Sequence, residues 1–175
     1  PVFYFAKRRL GAYGGVMVTA SHNPARFNGL KIALGDLPIT EEQLESIRIT
    51  AEKGEFATST GKRESINILP PYRDFIARAA EDLHPWAIGR MKIAVDCGNG
   101  CYSDIAPRLL KDLGFKVLEV FCTPDGTFPN RDPNSAIPSN LLALSQMVRS
   151  EGADFGVAFD GDGDRVSFTD EHGVF

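Results

Sequence analysis

The sequence predicts an α/β fold built as two consecutive domains, and three observations carry that prediction. Beyond about residue 90, short apolar runs alternate with amphipathic segments, the pattern of right-handed crossovers on a largely parallel sheet. Before it, two strand-like runs flank a polar loop and lead into a capped helix. Between the halves, residues 56–68 are polar and aperiodic, which places the domain boundary there. With 175 residues, 43% hydrophobic and 24% charged, the chain can bury a substantial core.

The elements follow in order. Pro1 to about Leu10 is expected to be helical, because a proline at a helix start lacks only an N–H that would have no partner there; Gly11 to Gly15 end it. Val16-Met17-Val18-Thr19-Ala20 reads as a strand, and Leu30 to Leu34 as another after the Asn28-Gly29 turn, leaving Ser21 to Asn28 as the loop between them. Thr40 and Gln43 form a capping box for a helix with Leu44, Ile47 and Ala51 on one face, ending near Gly54. Pro70-Pro71 starts a helix that reaches about Asp82. Then come strand Met91 to Val95, helix Tyr102 to Leu113, strand Phe115 to Phe121, helix Ser139 to Ser150 and strand Asp154 to Phe159. Val166 to Thr169 is expected to pair with that last strand as a hairpin. Asp160 falls at its carboxyl end, where ligands gather in open α/β sheets.

Composition excludes several classes. A net charge of −4 offers no basic field, so nucleic acid is not an expected partner. Cys97, Cys101 and Cys122 are odd in number and form no C-x-x-C pair, which argues against a disulfide framework or a zinc site; they read as core thiols of a cytoplasmic protein. No apolar run approaches the roughly 20 residues of a membrane span, and Lys7-Arg8-Arg9 lie on the wrong side of the first apolar stretch for a signal peptide. The chain opens on Pro1 rather than Met, and the expectation is a fragment of a longer protein. His84 and His172 stand in turn-like contexts and read as surface residues.

The densest chemistry is Asp160-Gly161-Asp162-Gly163-Asp164-Arg165. Two unit charges ~4 Å apart repel by roughly 4 kcal/mol at an effective dielectric of 20, so three carboxylates in five residues call for a cation. Gly161 and Gly163 let the backbone curl so that the carboxylates converge. Hard oxygen ligands suit Mg²⁺, with coordination left over for a phosphate. An EF-hand competes, since Asp160, Asp162, Asp164 and Glu171 occupy its positions 1, 3, 5 and 12. Against it, Arg165 stands where that loop needs glycine, and the flanks read as strands. A solvated Asp-Gly hairpin is the plain alternative. Arg165 could pair with the carboxylates, or its planar fork could take a phosphate.

Thr19-Ala20-Ser21-His22-Asn23-Pro24 matches neither G-x-S-x-G nor S-x-x-K. On an extended segment, Ser21 and His22 would point to opposite sides, which speaks against a Ser-His dyad. Gly98-Asn99-Gly100, between a strand and a helix with Glu119 further on, permits a dinucleotide-binding reading, but Ser103 stands where the third glycine belongs. The proline-rich stretch from Thr123 to Pro138 is long for a compact domain and reads as functional or as an interdomain contact.

T-A-S-H-N-P, then Asn28-Gly29-Leu30-Lys31, then F-D-G-D-G-D-R at Phe159 to Arg165 closely resemble the α-D-phosphohexomutases, in particular the bacterial phosphomannomutase/phosphoglucomutase branch. Val95 to Gly100 and Pro124 to Asn130 extend the resemblance over nearly the whole chain. It implies two consecutive three-layer α/β domains with mixed sheets: the C-terminal part of an incomplete first domain, residues 1–69, and a second domain, residues 70–175. By the same resemblance Ser21 carries the phosphoryl group, and Asp160, Asp162 and Asp164 bind one Mg²⁺ with a phosphoserine oxygen as a further ligand. Lys31 is the general acid/base, Arg165 stands near the reacting phosphate, and His22 and Asn23 line the site, Asn23 toward substrate. A phosphoserine adds about two negative charges to three carboxylates, which only a bridging dication makes tolerable. As a base, Lys31 would need its pKa lowered by nearby cations or by desolvation.

The implied reaction interconverts hexose 1-phosphate and 6-phosphate of mannose or glucose, with a hexose 1,6-bisphosphate as intermediate and activator. The expected partners are the phosphorylated hexose and the remaining domains of the full-length enzyme, without which this chain is expected to be silent. The alternative reading is a non-catalytic domain pair that binds Mg²⁺ or a phosphosugar.

Overall fold

The computed structural model describes residues 1–35, 37–82 and 89–175; His84 lies outside the described residues. Helix α1 (Val2–Arg9) is followed by strands β1 (Gly14–Val18), β2 (Leu30–Leu34) and β3 (Leu37–Pro38), then helices α2 (Glu41–Lys53) and α3 (Leu69–Ala79). Strand β4 (Lys92–Asp96), helix α4 (Ala106–Asp112), strand β5 (Lys116–Val120), helix α5 (Leu142–Glu151), and strands β6 (Phe155–Phe159) and β7 (Val166–Thr169) complete the chain.

The first three strands form one sheet in the order β1-β2-β3, antiparallel throughout. β1 starts at Gly14 and ends at Val18, two residues earlier at each end than predicted, and the short β3 carried no sequence signal. α2 has the predicted capping box, with the Thr40 hydroxyl accepting from the Gln43 N–H and the Gln43 side chain accepting from the Thr40 N–H; it ends on Gly54 at φ 67. Its predicted apolar face is not buried, however: Leu44 is 52% and Ile47 39% exposed. What the described residues give this helix is local, chiefly the Arg48–Glu45 pair at 2.6 Å and the Arg48–Glu52 pair.

The second sheet runs β5-β4-β6-β7, with β4 parallel to β5 and β6, and β7 antiparallel to β6 as the predicted hairpin partner. The expected mixture of directions thus lies in this sheet. The chain steps from β4 to β5 on one side and then crosses back to β6 on the other, so two right-handed crossovers put their helices on opposite faces. The burial pattern agrees. Ile93, Val95 and Val157 pack with Tyr102 and Ala106 on one face, while Ala94 and Ala158 pack with Leu141, Leu144 and Val148 on the other. The result is three layers with both faces covered.

α4 is shorter than predicted. Residues 101–105 form turns, and regular helix begins only at Ala106, where Pro107 fits a first turn that needs no donor from it. α5 likewise begins at Leu142, after a 3₁₀ turn over Pro138–Leu141. α3 ends at Ala79, three residues short of the predicted end.

Candidate active site

The reversal of strand order between β4 and β6 creates a crevice at their carboxyl ends, and the two loops that leave it there are locked together. The Cys101 N–H donates to the Gly161 carbonyl at 3.1 Å. Beneath them lies a buried ion pair: Arg131 Nε donates to both Asp96 oxygens, at 3.0 and 2.9 Å, and Arg131 Nη2 to the Phe159 carbonyl at 2.7 Å. Burial pushes the Asp96 carboxyl up, against the pull of Arg131 and the Gly98 N–H. The stretch from Thr123 to Pro138 is therefore the brace of this crevice. Arg131 also fills the space beside Gly98, where a β-carbon would come within 2.5 Å of its guanidinium carbon, so the Gly98-Asn99-Gly100 turn belongs to the scaffold and not to a dinucleotide. Glu119 is paired with Lys111 at 2.5 Å.

The acidic loop closes on itself. The Gly163 N–H donates to the Asp160 carbonyl at 3.1 Å, and Arg165 folds back to place Nε 2.9 Å from Asp160 Oδ2. Gly163 has φ +68, as the predicted curl requires, whereas Gly161 is needed for space: a β-carbon there would lie 2.5 Å from the Ser21 carbonyl oxygen. The curl brings one ligand atom each of Asp160, Asp162 and Asp164 within 4.8 Å of one another. Asp160 is fully buried, Asp162 nearly so, and Asp164 exposed. Glu171 is outside this cluster, beside His172 at 3.6 Å on the surface, and both flanks are strands, so the geometry is not that of an EF-hand.

The serine loop meets the acidic loop directly. Lys31, on β2, places Nζ 2.7 Å from Asp162 Oδ2 and 2.7 Å from Asp164 Oδ2. Thr19, just past β1, donates its hydroxyl to Asp162 Oδ2 at 3.0 Å and accepts the Ser21 N–H at 2.8 Å. The serine-loop motif includes Thr19 but gives it no bonding partner, because Asp162 is 143 residues away and no local pattern could pair them.

Ser21 has φ 55, a left-handed conformation that costs a non-glycine residue about 1 to 3 kcal/mol. That turn corrects the expectation of divergent side chains: Ser21 Oγ and His22 Nδ1 are 3.2 Å apart, which an extended backbone would not allow. Asn23 ties its side-chain amide to the Ala20 carbonyl at 2.9 Å, holding the turn. The structure thus joins Thr19, Lys31, Asp162 and Asp164 by direct bonds, and presses the Ser21 backbone against Gly161.

Lys31 reverses an expectation. Burial pulls its ammonium down, but the hydrogen bonds and charges of Asp162 and Asp164 outweigh that and hold it above its ordinary value. Its neighbours are anions, not the cations that a lowered pKa would need. The Lys31 hydrogen bond in turn holds the Asp164 carboxyl low, against the smaller effect of burial. Two cations, Lys31 and Arg165, face three carboxylates, so negative charge remains. Asp162 Oδ1 is buried with no hydrogen-bond partner among the described residues, a costly state for a carboxylate oxygen. An all-oxygen donor set with an orphaned lone pair fits a small hard dication such as Mg²⁺.

Fold and site together define a class: an α/β protein whose carboxylate cluster, at strand ends of one sheet, is met by a serine loop from a neighbouring sheet. Comparison with known proteins names it. The profile described as phosphoglucomutase/phosphomannomutase, alpha/beta/alpha domain II, matches residues 70–173, and that for domain I matches residues 1–58. The chain belongs to this family, the α-D-phosphohexomutases. It is 42% identical over 178 residues to a phosphomannomutase/phosphoglucomutase of Pseudomonas aeruginosa, covering 99% of this chain and 36% of that protein. A phosphoglucomutase of Neisseria meningitidis serogroup B is 38% identical, with 99% of this chain and 37% of that protein covered. Among solved structures, a phosphoglucomutase/phosphomannomutase family protein from Burkholderia thailandensis superposes with a TM-score of 0.83 at 34% identity, over 91% of this chain and 34% of that one. The chain thus spans little more than a third of the length of these relatives. Among its described residues no helix is long and apolar enough to cross a membrane.

Proposed function

We propose that this chain carries the phosphoserine and metal-binding parts of an enzyme that interconverts the 1- and 6-phosphates of mannose or glucose. Residues 1–69 belong on this reading to its first domain and residues 70–175 to its second. The observation that supports it most is the junction at Lys31, whose ammonium lies 2.7 Å from carboxylates of both Asp162 and Asp164 and so makes the two loops one site.

Ser21 Oγ is the carrier. The Oγ–P bond of a phosphorylated Ser21 breaks as a new O–P bond forms to a sugar hydroxyl, whose proton passes to a base. The resulting 1,6-bisphosphate reorients, and its other phosphoryl group returns to Ser21. His22, 3.2 Å from Oγ, is placed to exchange a proton with the serine. Lys31 carries its proton in the present arrangement, so it serves first as counter-cation and proton donor; it can accept a proton only when the carboxylates around it are otherwise neutralised. Arg165 keeps its exposed guanidinium beside the cluster for a phosphate, and Asn23 holds the serine turn at the substrate side. Asp160, Asp162, Asp164 and a phosphoserine oxygen would hold one Mg²⁺, which supplies neutralisation of the charge gathered there.

The test is intact mass after incubation with glucose 1,6-bisphosphate and Mg²⁺. One added phosphoryl group is expected, absent from Ser21→Ala; no addition to the unaltered chain would favour a binding domain pair without turnover. The isolated chain, at 36% of the length of its Pseudomonas relative, is expected to show no steady-state mutase activity.

A further inference from the structure

We propose that the Thr19 hydroxyl is a positioning group that couples the backbone of Ser21 to the Asp162 carboxylate; the inference rests on the phosphoryl-transfer reading of the site. Donor and acceptor roles are fixed by valence. A backbone N–H can only donate, so the 2.8 Å contact makes Thr19 Oγ1 the acceptor from Ser21. An ionised carboxylate can only accept, so the single hydroxyl proton points to Asp162 Oδ2 at 3.0 Å. The two bonds form a relay with one possible direction. Each strengthens the other, since a hydroxyl polarised by a carboxylate is a better acceptor.

The relay has firm ends. The Thr19 N–H donates to the Gly29 carbonyl at 2.9 Å, continuing the β1–β2 ladder by one step, and a β-carbon at Gly29 would lie 3.0 Å from the Thr19 carbonyl oxygen. Asp162 has a side chain only 6% exposed. Between these ends, Ser21 is held at φ 55, a conformation it would otherwise leave. Oδ2 of Asp162 already serves Thr19 and Lys31, whereas Oδ1 has no partner among the described residues. A cation can therefore engage Oδ1 with the Thr19 bond intact, so the nucleophile stays registered to the carboxylate in both states.

Hydrogen exchange on the whole chain, with EDTA and with Mg²⁺, tests this. Thr19→Val keeps the shape and removes both bonds; Thr19→Ser keeps the hydroxyl. In EDTA the Ser21 amide is expected to exchange about tenfold faster in Thr19→Val than in the unaltered chain, while amides of β4 are unchanged and Thr19→Ser restores protection. Asp162→Ala approaches the relay from its other end and should expose the Ser21 amide as well, with the double substitution adding nothing further. Unchanged Ser21 exchange in Thr19→Val, no rescue by serine, or additive effects would each overturn the coupling. Should Thr19→Val lose protection throughout, Asp162→Ala and Thr19→Ser still decide the matter. A chain that takes no phosphoryl group and shows no response to Mg²⁺ would defeat the functional reading instead, and the comparison in EDTA would stand apart from it.

Discussion

Lys31 is the residue on which the two loops converge, and its environment gives a signed pH dependence. Asp164 is held below the ordinary carboxylate range, first by the Lys31 hydrogen bond, with burial opposing. A depressed carboxyl stabilises the fold fully above its unfolded pKa of about 3.9, and that contribution is lost as pH falls through the lower folded value. In metal-free protein, the NMR titration midpoint of Asp164 should lie below the usual range and rise toward it in Lys31→Met. The effect on overall stability should be small, because the Asp164 side chain is 42% exposed. An unshifted midpoint in the unaltered chain would remove Lys31 from the carboxylates. At this scale, residue types were legible and partners were not. Asp160, Asp162 and Asp164 were readable because three like charges within five residues repel wherever the chain goes. The Ser21–His22 contact was misread because it depends on one backbone angle, φ 55, that neighbouring residue types do not dictate.

The acidic loop works as an element because its two glycines have no substitute. At Gly163, with φ +68, a β-carbon would lie 2.0 Å from the Tyr102 ring. Gly163→Ala should cost about 2 to 4 kcal/mol, from the left-handed backbone and from displacing a packed ring, and should weaken Mg²⁺ binding by calorimetry at least about tenfold. Gly126→Ala, with nothing among the described residues within 4 Å of the added carbon, is the matched control. Equal behaviour of the two variants would show that the loop does not rely on this turn. Element identity was largely readable from periodicity, as in β4 and β6, whose apolar runs are buried on both faces. Element ends were less so. α4 begins at Ala106 and not at Tyr102 because the Cys101 N–H goes to the Gly161 carbonyl and the Ser103 and Ile105 N–H groups reach only three residues back, to Gly100 and Tyr102, so the chain turns before it winds into α-helix. α2 illustrates the opposite failure: its capping box was read correctly, yet periodicity could not reveal that nothing described here covers Leu44 and Ile47.

At the scale of the molecule, the two sheets are joined at two kinds of contact. One is apolar, where Phe5 of α1 packs against Tyr72 and Phe75 of α3 with ring centroids 5.3 Å apart in each pair, and Val2 reaches the core of the second sheet. The other is the polar junction of Thr19 and Lys31 with the acidic loop. A cation that binds only the assembled site must stabilise the whole chain by mass action. Mg²⁺ at about 100 times its dissociation constant should add roughly 2.7 kcal/mol, read as a rise in Tm reversed by EDTA and absent from Asp162→Ala. A Tm indifferent to Mg²⁺ would count against metal binding at the cluster. The sequence by itself determined the family motifs, the alternation of strands and helices, and the carboxylate cluster, because each depends on residues near one another along the chain. The resemblance already implied that the serine loop and the acidic loop meet; only the tertiary structure decided that Thr19 bonds across to Asp162 and that Lys31 is held protonated between two carboxylates. Those facts arise from approaches across more than 130 residues, which are set by how two sheets pack and leave no periodic trace in the chain.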